Sequence, residues 1–477
     1  MPPYPTPRRI LMALGRVRSN RSSGSKLVFF DVSYEGETVQ AMCNFRALSE
    51  AGVSREDFQK FKQILRKGDS VSVTGHPTRT SSGELTVLAT ELPQILSPLI
   101  QQIPETLTDP ETRALHPHID TLVNQEPRDV TVLKHLIKRR IESFLENDGF
   151  IGVNTPLLEA RAGGAIARPF ETRATEFPNT PISLRIAPEL YLKRLVIGGF
   201  DKLYEMGPAF RNEGIDATHN PEFTICEFYE TFATLEDLIL KTETLFRELD
   251  SYVRTLKTTK LNSLDQLEDI DFTSPFARLP FIPTIEAAIH RQLPDLRSPS
   301  ATTDLKSLFA DLDIPLPAHP TLPRLLDALA ARYIEPLCMQ PTFITHHPEI
   351  LSPLSKSFLD PSTSQHVAAR VELFIRGHEY VNAYEEENSP FEQRRKFEEQ
   401  ARWRELDGEV VGGFGRRAGI DEGYLEALEF GLPPTGGWGC GVDRLVMLFA
   451  GVGRIADVLP FGTLRNVVAL GQAGRRR

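Results

Sequence analysis

Phe210-Arg211-Asn212-Glu213-Gly214, followed closely by His219-Asn220-Pro221-Glu222-Phe223, joins a cation, a turn and an aromatic plate in one hairpin-like stretch. An arginine fork suits phosphate and carboxylate oxygens alike, and a phenylalanine ring offers a flat surface to a base. The stretch therefore predicts a nucleotide grip. Near the C-terminus, Gly439-Cys440-Gly441-Val442-Asp443-Arg444 sets glycines ahead of another arginine. Without side chains the backbone there can approach a ligand closely before a helix begins at Leu445.

A chain of 477 residues with 40% apolar content predicts two or more domains with ample core. Its formal charge of −10 does not decide against a polyanion partner, because such binding depends on where the basic residues sit. Arg8, Arg9, Arg16, Arg18, Arg21 and Lys26 cluster at the start with no acid among them, whereas the C-terminal half is acid-rich. The four cysteines, Cys43, Cys226, Cys338 and Cys440, lie far apart without paired metal spacing, which argues against a zinc site or a disulfide framework. No apolar run approaches the ~18 residues that span a bilayer, so no membrane is expected as a partner. The acid-free start has the composition of a mitochondrial import segment. It runs straight into a predicted strand, however, and composition alone favours a basic domain face.

Short apolar runs at 10–14, 27–32, 38–42, 70–75 and 84–88, punctuated by Gly, Ser and Asn, read as five strands. A helix at 54–66, with Phe58, Phe61 and Leu65 along one side, interrupts them after the third. That order predicts a five-stranded Greek-key barrel of the oligonucleotide-binding kind over residues 1–95. Residues 96–128 are proline-rich and polar without a sustained period, and read as a linker. In 132–147, Leu133, Leu136, Ile137, Ile141, Phe144 and Leu145 form an apolar stripe with Lys134, Lys138, Arg139 and Glu142 off it, predicting an amphipathic helix. A second domain spans 129–477, with an insertion at about 255–340 whose Pro- and Leu-rich, broken helical patterns carry no recognisable chemistry. Gly412-Gly413-Phe414-Gly415 lacks a following Lys-Ser/Thr and reads as a surface turn. Arg475-Arg476-Arg477 reads as a solvated tail.

The two stretches quoted first resemble the second and third signature motifs of the class II aminoacyl-tRNA synthetases. The helix at 132–147, with Val153-Asn154-Thr155-Pro156 after it, resembles the first, which in that family forms the dimer interface. The resemblance implies an α+β chain: an N-terminal OB-fold β-barrel followed by a class II synthetase catalytic domain built on an antiparallel sheet. It also implies that an amino-acid carboxylate attacks the α-phosphorus of ATP. That nucleophile is already ionised near neutral pH, so guanidinium groups and a divalent metal, rather than a general base, are needed. By the same resemblance Arg211 bridges the substrate carboxylate and the α-phosphate. Phe223 and Arg444 stack on the two faces of adenine, with Arg444 also reaching the γ-phosphate, while Glu213 and His219 help hold base and triphosphate. Glu372 and Glu379 match the family's magnesium-holding pair, Glu379 standing at the ATP as well.

A surplus of carboxylates decides which amino acid is expected. Glu189 lies in Ala187-Pro188-Glu189-Leu190-Tyr191-Leu192-Lys193, Glu227 and Tyr229 follow Phe223, and Glu386 follows Asn382. Clustered buried acids are unfavourable unless the ligand supplies positive charge, and lysine supplies two ammonium groups. Aspartate or asparagine would call for a cationic or amide-reading pocket. The phrases 187–195 and 431–435 strongly resemble the lysyl-tRNA synthetases. That resemblance gives Glu189, Glu227 and the backbone of Gly164 to the α-ammonium, Arg211 and Asn382 to the carboxylate, and Glu386 and Tyr229 to the ε-ammonium. It gives the barrel the anticodon, with Phe29 stacking and Arg21 and Glu84 reading a uridine. The implied activity is ATP-dependent formation of lysyl-adenylate and transfer of lysine to the 3′ end of tRNA(Lys), with Mg2+, by a homodimer. Phrases 26–31 and 84–92 resemble the fungal mitochondrial branch, which favours the mitochondrial matrix, with the cytoplasm as the alternative. The residues 113–118 depart from the basic, aromatic stretch usual before the catalytic domain. A catalytically silent RNA-binding or regulatory paralogue is the alternative function. It has no chemical need for Arg211, Arg444, Glu372 and Glu379 together.

Overall fold

The alternating apolar runs of the N-terminal unit, Met1–Thr108, close on themselves. The computed structural model describes residues 10–160, 167–267, 269–406 and 420–473. In this unit the strands run in the order Leu11–Ser23, Leu27–Tyr34, Glu37–Asn44, Leu85–Ala89, Ser70–Arg79, Gln94–Ser97, and the first also pairs with Ser70–Arg79. That pairing makes a barrel of the five expected strands, with Gln94–Ser97 as a short sixth. The first strand serves two partners because it changes register at Val17/Ser19. A side chain at Gly15 would stand 2.6 Å from the Ser33 carbonyl oxygen, so the crossing needs glycine there.

Period-two alternation sends Val28, Phe30 and Val32 inward, where they meet Val71, Val73 and Val87. The helix Arg55–Ile64, capped by the Ser54 hydroxyl accepting from the Asp57 N–H at 3.0 Å, plugs the barrel with Phe58 and Phe61.

The segment 96–128, read as a linker, holds more structure than expected. It contains the end of Gln94–Ser97, the short helices Pro110–Leu115 and Pro117–Val123, and the start of Glu126–Asn147; the chain divides at Thr108/Asp109. Each helix starts on proline, where the missing N–H costs nothing, and each is too short to show an apolar period. Pro127 likewise extends the long helix six residues ahead of the expected start at 132.

In the second unit, Asp109–Arg477, eight strands form one sheet in the order Ala277–Pro280, Thr342–Thr345, Arg370–Ile375, His378–Glu385, Thr435–Gly441, Glu222–Thr231, Lys202–Phe210, Ile151–Gly152. The two outermost pairings are parallel and all others antiparallel. Helices Glu126–Asn147, Leu235–Thr259 and Val442–Ala450 supply the core against the sheet, with Leu133, Ile137, Ile141 and Leu145 completely buried. A Thr234/Asp237 capping box fixes the start of the second of these helices. The expected insertion at 255–340 is narrower than it reads, since Leu235–Thr259 runs into it and Ala277–Pro280 is a strand of the sheet; residues 281–338 build a second core, in which Ile282, Ile285, Leu305, Phe309, Leu325 and Leu329 meet Ile344 and Phe374 of the sheet. No helix of the described residues is long and apolar enough to cross a membrane.

Candidate active site

The quoted hairpin is a pair of strands, Lys202–Phe210 and Glu222–Thr231, in register from Lys202↔Glu230 to Phe210↔Glu222. The loop between them carries Arg211 and His219 and is closed by the Arg211 N–H donating to the Pro221 carbonyl at 2.8 Å. Beside it, Thr435–Gly441 pairs with both Glu222–Thr231 and His378–Glu385, bringing distant segments into one cleft. The cavity is about 490 Å³, and Glu189, Arg211, Glu213, His219, Phe223, Glu227, Tyr229, Glu379, Asn382 and Arg444 all line it. Both arginines thus face a common cleft.

At one end stand the groups expected to hold a nucleotide. The Arg211 guanidinium lies 5.1 Å from the centre of the Phe223 ring, and its buried Nε has no partner among the described residues. His219 has a defined tautomer: Arg444 can only donate, so Nε2 accepts from its Nη2 at 2.7 Å and Nδ1–H donates to Asp216 at 2.9 Å. Arg444 also donates to the Glu379 carbonyl at 3.0 Å. The neighbouring Asp443 is buried, taking Lys134 Nζ at 2.5 Å and the Thr224 N–H at 2.7 Å. Lys134, off the apolar stripe, therefore ties the long helix to both nucleotide-side segments.

Glu372 and Glu379 sit on adjacent strands with a bulge between Leu373 and Phe374, close enough to disturb each other. Burial, then the Glu372 charge, pushes the Glu379 carboxyl up to about 7. Against the upward push of its own burial, Glu372 is held at about 2 by Arg370 and His347, whose Nε2 lies 3.0 Å away. Arg370 also donates through Nε to Asn382 Oδ1 at 2.9 Å. The Asn382 amide NH2 is left as the group that can serve a ligand.

The other end holds the acids. Burial, then Glu189, raises Glu227 to about 8; the Tyr229 hydroxyl donates to Glu227 at 3.2 Å and the Tyr384 hydroxyl to Glu189 at 2.7 Å. Glu386 requires a correction of the expected picture. It is completely buried, stands close behind Gly437 rather than on the cavity wall, and forms an ion pair with Lys193. A side chain on Gly437 would collide with the Glu386 carboxylate, so glycine there is what admits that acid. Glu189, Glu227 and Glu386 nonetheless converge, since each raises or is raised by the others' charge.

Gly164 lies outside the described residues, as do the 412–415 turn and the terminal arginines. Lys193, Arg370, His347 and Tyr384 were missed from the sequence. Lys193 had a signal, four residues after Glu189 on one helix. Arg370 had one in its position two before Glu372, on the same face of a strand.

In the barrel, Phe29 faces away from the buried Phe30, which settles it outside the barrel core. It stands opposite Arg21 across the strand pair, with the guanidinium 5.9 Å from its ring, and Arg21 is 3.8 Å from Glu84. The three residues expected at the anticodon thus share one patch.

An antiparallel sheet with two arginines over a nucleotide-sized cleft, preceded by an OB-type barrel, defines a synthetase of the second class. Residues 109–465 match the family described as tRNA synthetases class II (D, K and N), and residues 13–95 match the OB-fold nucleic acid binding domain. The chain is 40% identical over 457 residues to the lysine–tRNA ligase, mitochondrial, of Schizosaccharomyces pombe, spanning 95% of this chain and 84% of the relative. It is 38% identical over 470 residues to a lysine–tRNA ligase of Cladosporium cladosporioides, spanning 96% and 76%. It is equally 38% identical over 470 residues to the probable lysine–tRNA ligase, cytoplasmic, of Encephalitozoon cuniculi, spanning 96% and 88%. The chain belongs to the class II tRNA synthetases, and within them to the lysine–tRNA ligases.

Proposed function

We infer that the protein activates lysine with ATP and transfers it to transfer RNA; the observation that carries this is the convergence of Glu189, Glu227 and two arginines on one cleft, with Glu386 directly behind its wall at Gly437. The lysine α-ammonium is assigned to Glu189 and Glu227, its carboxylate to Arg211 and the Asn382 amide, and its ε-ammonium to the end formed by Tyr229 with Glu386 behind it. ATP lies over Phe223 and under Arg444, with Glu213 and His219 beside it. As the carboxylate attacks the α-phosphorus, negative charge gathers on the phosphate oxygens, and Arg211 and Arg444 are positioned to stabilise it without moving a proton. Lysine-dependent ATP–pyrophosphate exchange tests the reading: exchange with lysine but not with aspartate or asparagine is expected, and exchange with either of the latter instead would refute it.

The Glu379 carboxylate, beside Glu372 and 4.0 Å from Arg444, fits a divalent cation, and no group of three or more metal-holding side chains occurs among the described residues. Two carboxylates with the remaining positions left to phosphate oxygens and water is a magnesium pattern. Bound there, magnesium would draw charge from the phosphates.

Glu227 makes lysine binding pH-dependent. At neutral pH its carboxyl is mostly protonated in the empty pocket, because its pKa is raised to about 8. A bound ammonium favours the ionised form, so binding expels a proton and affinity rises with pH until about 8. The KM for lysine is expected to increase by up to ~10-fold per unit as pH falls below that point. A KM that stays flat between roughly pH 6.5 and 8 would contradict the assignment of Glu227.

A homodimer is proposed along the sheet edge at Ile151–Gly152, where Ile151, Leu157, Leu158 and Phe177 are exposed; a monomeric mass by light scattering would exclude it. Recognition of the tRNA(Lys) anticodon is assigned to Arg21, Phe29 and Glu84, and a Phe29→Ala variant that charges tRNA as well as the wild type would withdraw it. The mitochondrial matrix is the proposed compartment, supported by the 40% identity to the mitochondrial relative, with the cytoplasm as the alternative supported by the relative named cytoplasmic. Import of the full chain into isolated mitochondria separates the two.

A further inference from the structure

Lys193 is a fully buried lysine side chain inside the subsite assigned to lysine. Its Nζ lies 2.6 Å from Glu189 Oε1 and pairs with Glu386, while the rings of Tyr384 and Tyr424 stand 5.8 and 5.9 Å away. These neighbours come from its own helix, from the strand His378–Glu385 and the residue after it, and from the helix Glu422–Leu428; Glu227, on Glu222–Thr231, feels the same charge. Burial alone would strip the proton from Lys193, but Glu189 and Glu386 outweigh it and hold the ammonium more firmly than in an ordinary lysine. Lys193 does not line the cavity and so cannot touch the substrate directly.

Glu189 and Glu386 share this internal ammonium directly and Glu227 lies within its field, so that once a bound ammonium ionises Glu227 two negative charges are left for the substrate to match in a site shielded from water. Lysine carries two ammonium groups. We propose that Lys193 is the positioning cation of the amino-acid subsite, neutralising one of its three carboxylates so that the two remaining match a doubly cationic substrate when it binds. Without it, two substrate ammonium groups would face three buried acids, one of which would have to take up a proton and cease to act as an acceptor for charge. Lys193 also fixes where Glu386 and Glu189 point, since both carboxylates are held by the same Nζ.

The inference rests on lysine being the substrate, and wild-type exchange with each amino acid checks that separately: absence of lysine-dependent exchange refutes the substrate reading whatever Lys193 does. Lys193→Met keeps the length of the side chain and removes its charge. The expected result is a KM for lysine raised on the order of a hundredfold, with the KM for ATP changed little. In Lys193→Ala, added n-propylammonium, which matches the three carbons and ammonium removed, is expected to restore exchange, whereas n-propanol of similar shape is not. A merely structural role predicts the opposite: Lys193→Met would keep its lysine KM, or propanol would rescue as well as the amine, and either outcome overturns the proposal. Should both single variants fail to fold, Lys193→Met combined with Glu386→Gln carries the test, because removing both members of a buried pair spares the fold an uncompensated charge. That double variant is expected to discriminate poorly between lysine and its neutral isostere 6-hydroxynorleucine, and undiminished discrimination overturns the proposal.

Discussion

Replacing Arg211 with alanine is expected to lower the rate of lysine-dependent pyrophosphate exchange by about a thousandfold, on the order of 4 kcal/mol of transition-state stabilisation. The guanidinium lines the cleft, leans on Phe223 and keeps a buried Nε without a partner among the described residues, so its hydrogen-bonding capacity is open to a ligand. Because charge on the phosphate oxygens grows in the transition state, the loss should fall mainly on kcat rather than on either KM. Arg211→Lys restores the charge without the planar fork and should recover part of the rate. A fall smaller than ~10-fold in the alanine variant, with the fold intact by thermal melting, would remove Arg211 from the chemistry.

Glu386→Gln is expected to strike lysine and spare ATP. The substitution keeps the shape of the side chain behind Gly437 but leaves Lys193 held by Glu189 alone. Losing one partner of a buried charge pair costs on the order of 2 to 5 kcal/mol, and here the cost appears in the recognition of lysine. The KM for lysine should rise and the preference for lysine over 6-hydroxynorleucine should collapse, with the KM for ATP within about twofold of the wild type. Equal losses for both substrates in the exchange assay would show that Glu386 supports the whole cleft instead of one end of it.

Much of this architecture was legible in the sequence because the elements that carry it have clean periods. The barrel strands alternate, so Phe30 could be placed inside; whether the adjacent Phe29 stood inside or out depended on register, which pairing with Arg21 settles. The stripe from Leu133 to Leu145 gave the long helix, but not its first turn, since Glu126-Pro127-Arg128-Asp129 is a helix start without apolar marks. The paired helices at 110–123 escaped notice because six or seven residues cannot display a helical period.

The site was legible at the level of residue types and less so at the level of partners. Arginine, phenylalanine and glutamate could be assigned from where they stand in the chain, yet who neutralises whom is a matter of packing. Lys193 and Arg370 looked like ordinary charged residues in a charged region. Only the tertiary fold buries Lys193 between Glu189 and Glu386, and sets Arg370 between Glu372 and Asn382. The acid surplus read from the sequence is therefore real but smaller by one charge than it seemed. That change sharpens the argument for lysine, because with Glu227 ionised by the bound substrate the two charges left unmatched equal the two its ammonium groups supply.

The central claim is electrostatic: a pocket short of positive charge chooses its substrate by the ammonium at the end of the side chain. The most direct measurement compares kcat/KM for lysine and for 6-hydroxynorleucine in pyrophosphate exchange by the wild-type protein. The two differ in little but that charge, and lysine is expected to win by roughly 30-fold to several thousandfold, the equivalent of about 2 to 5 kcal/mol. Comparable values for the two compounds would contradict the account, since a pocket of buried carboxylates could not then be what reads the side chain.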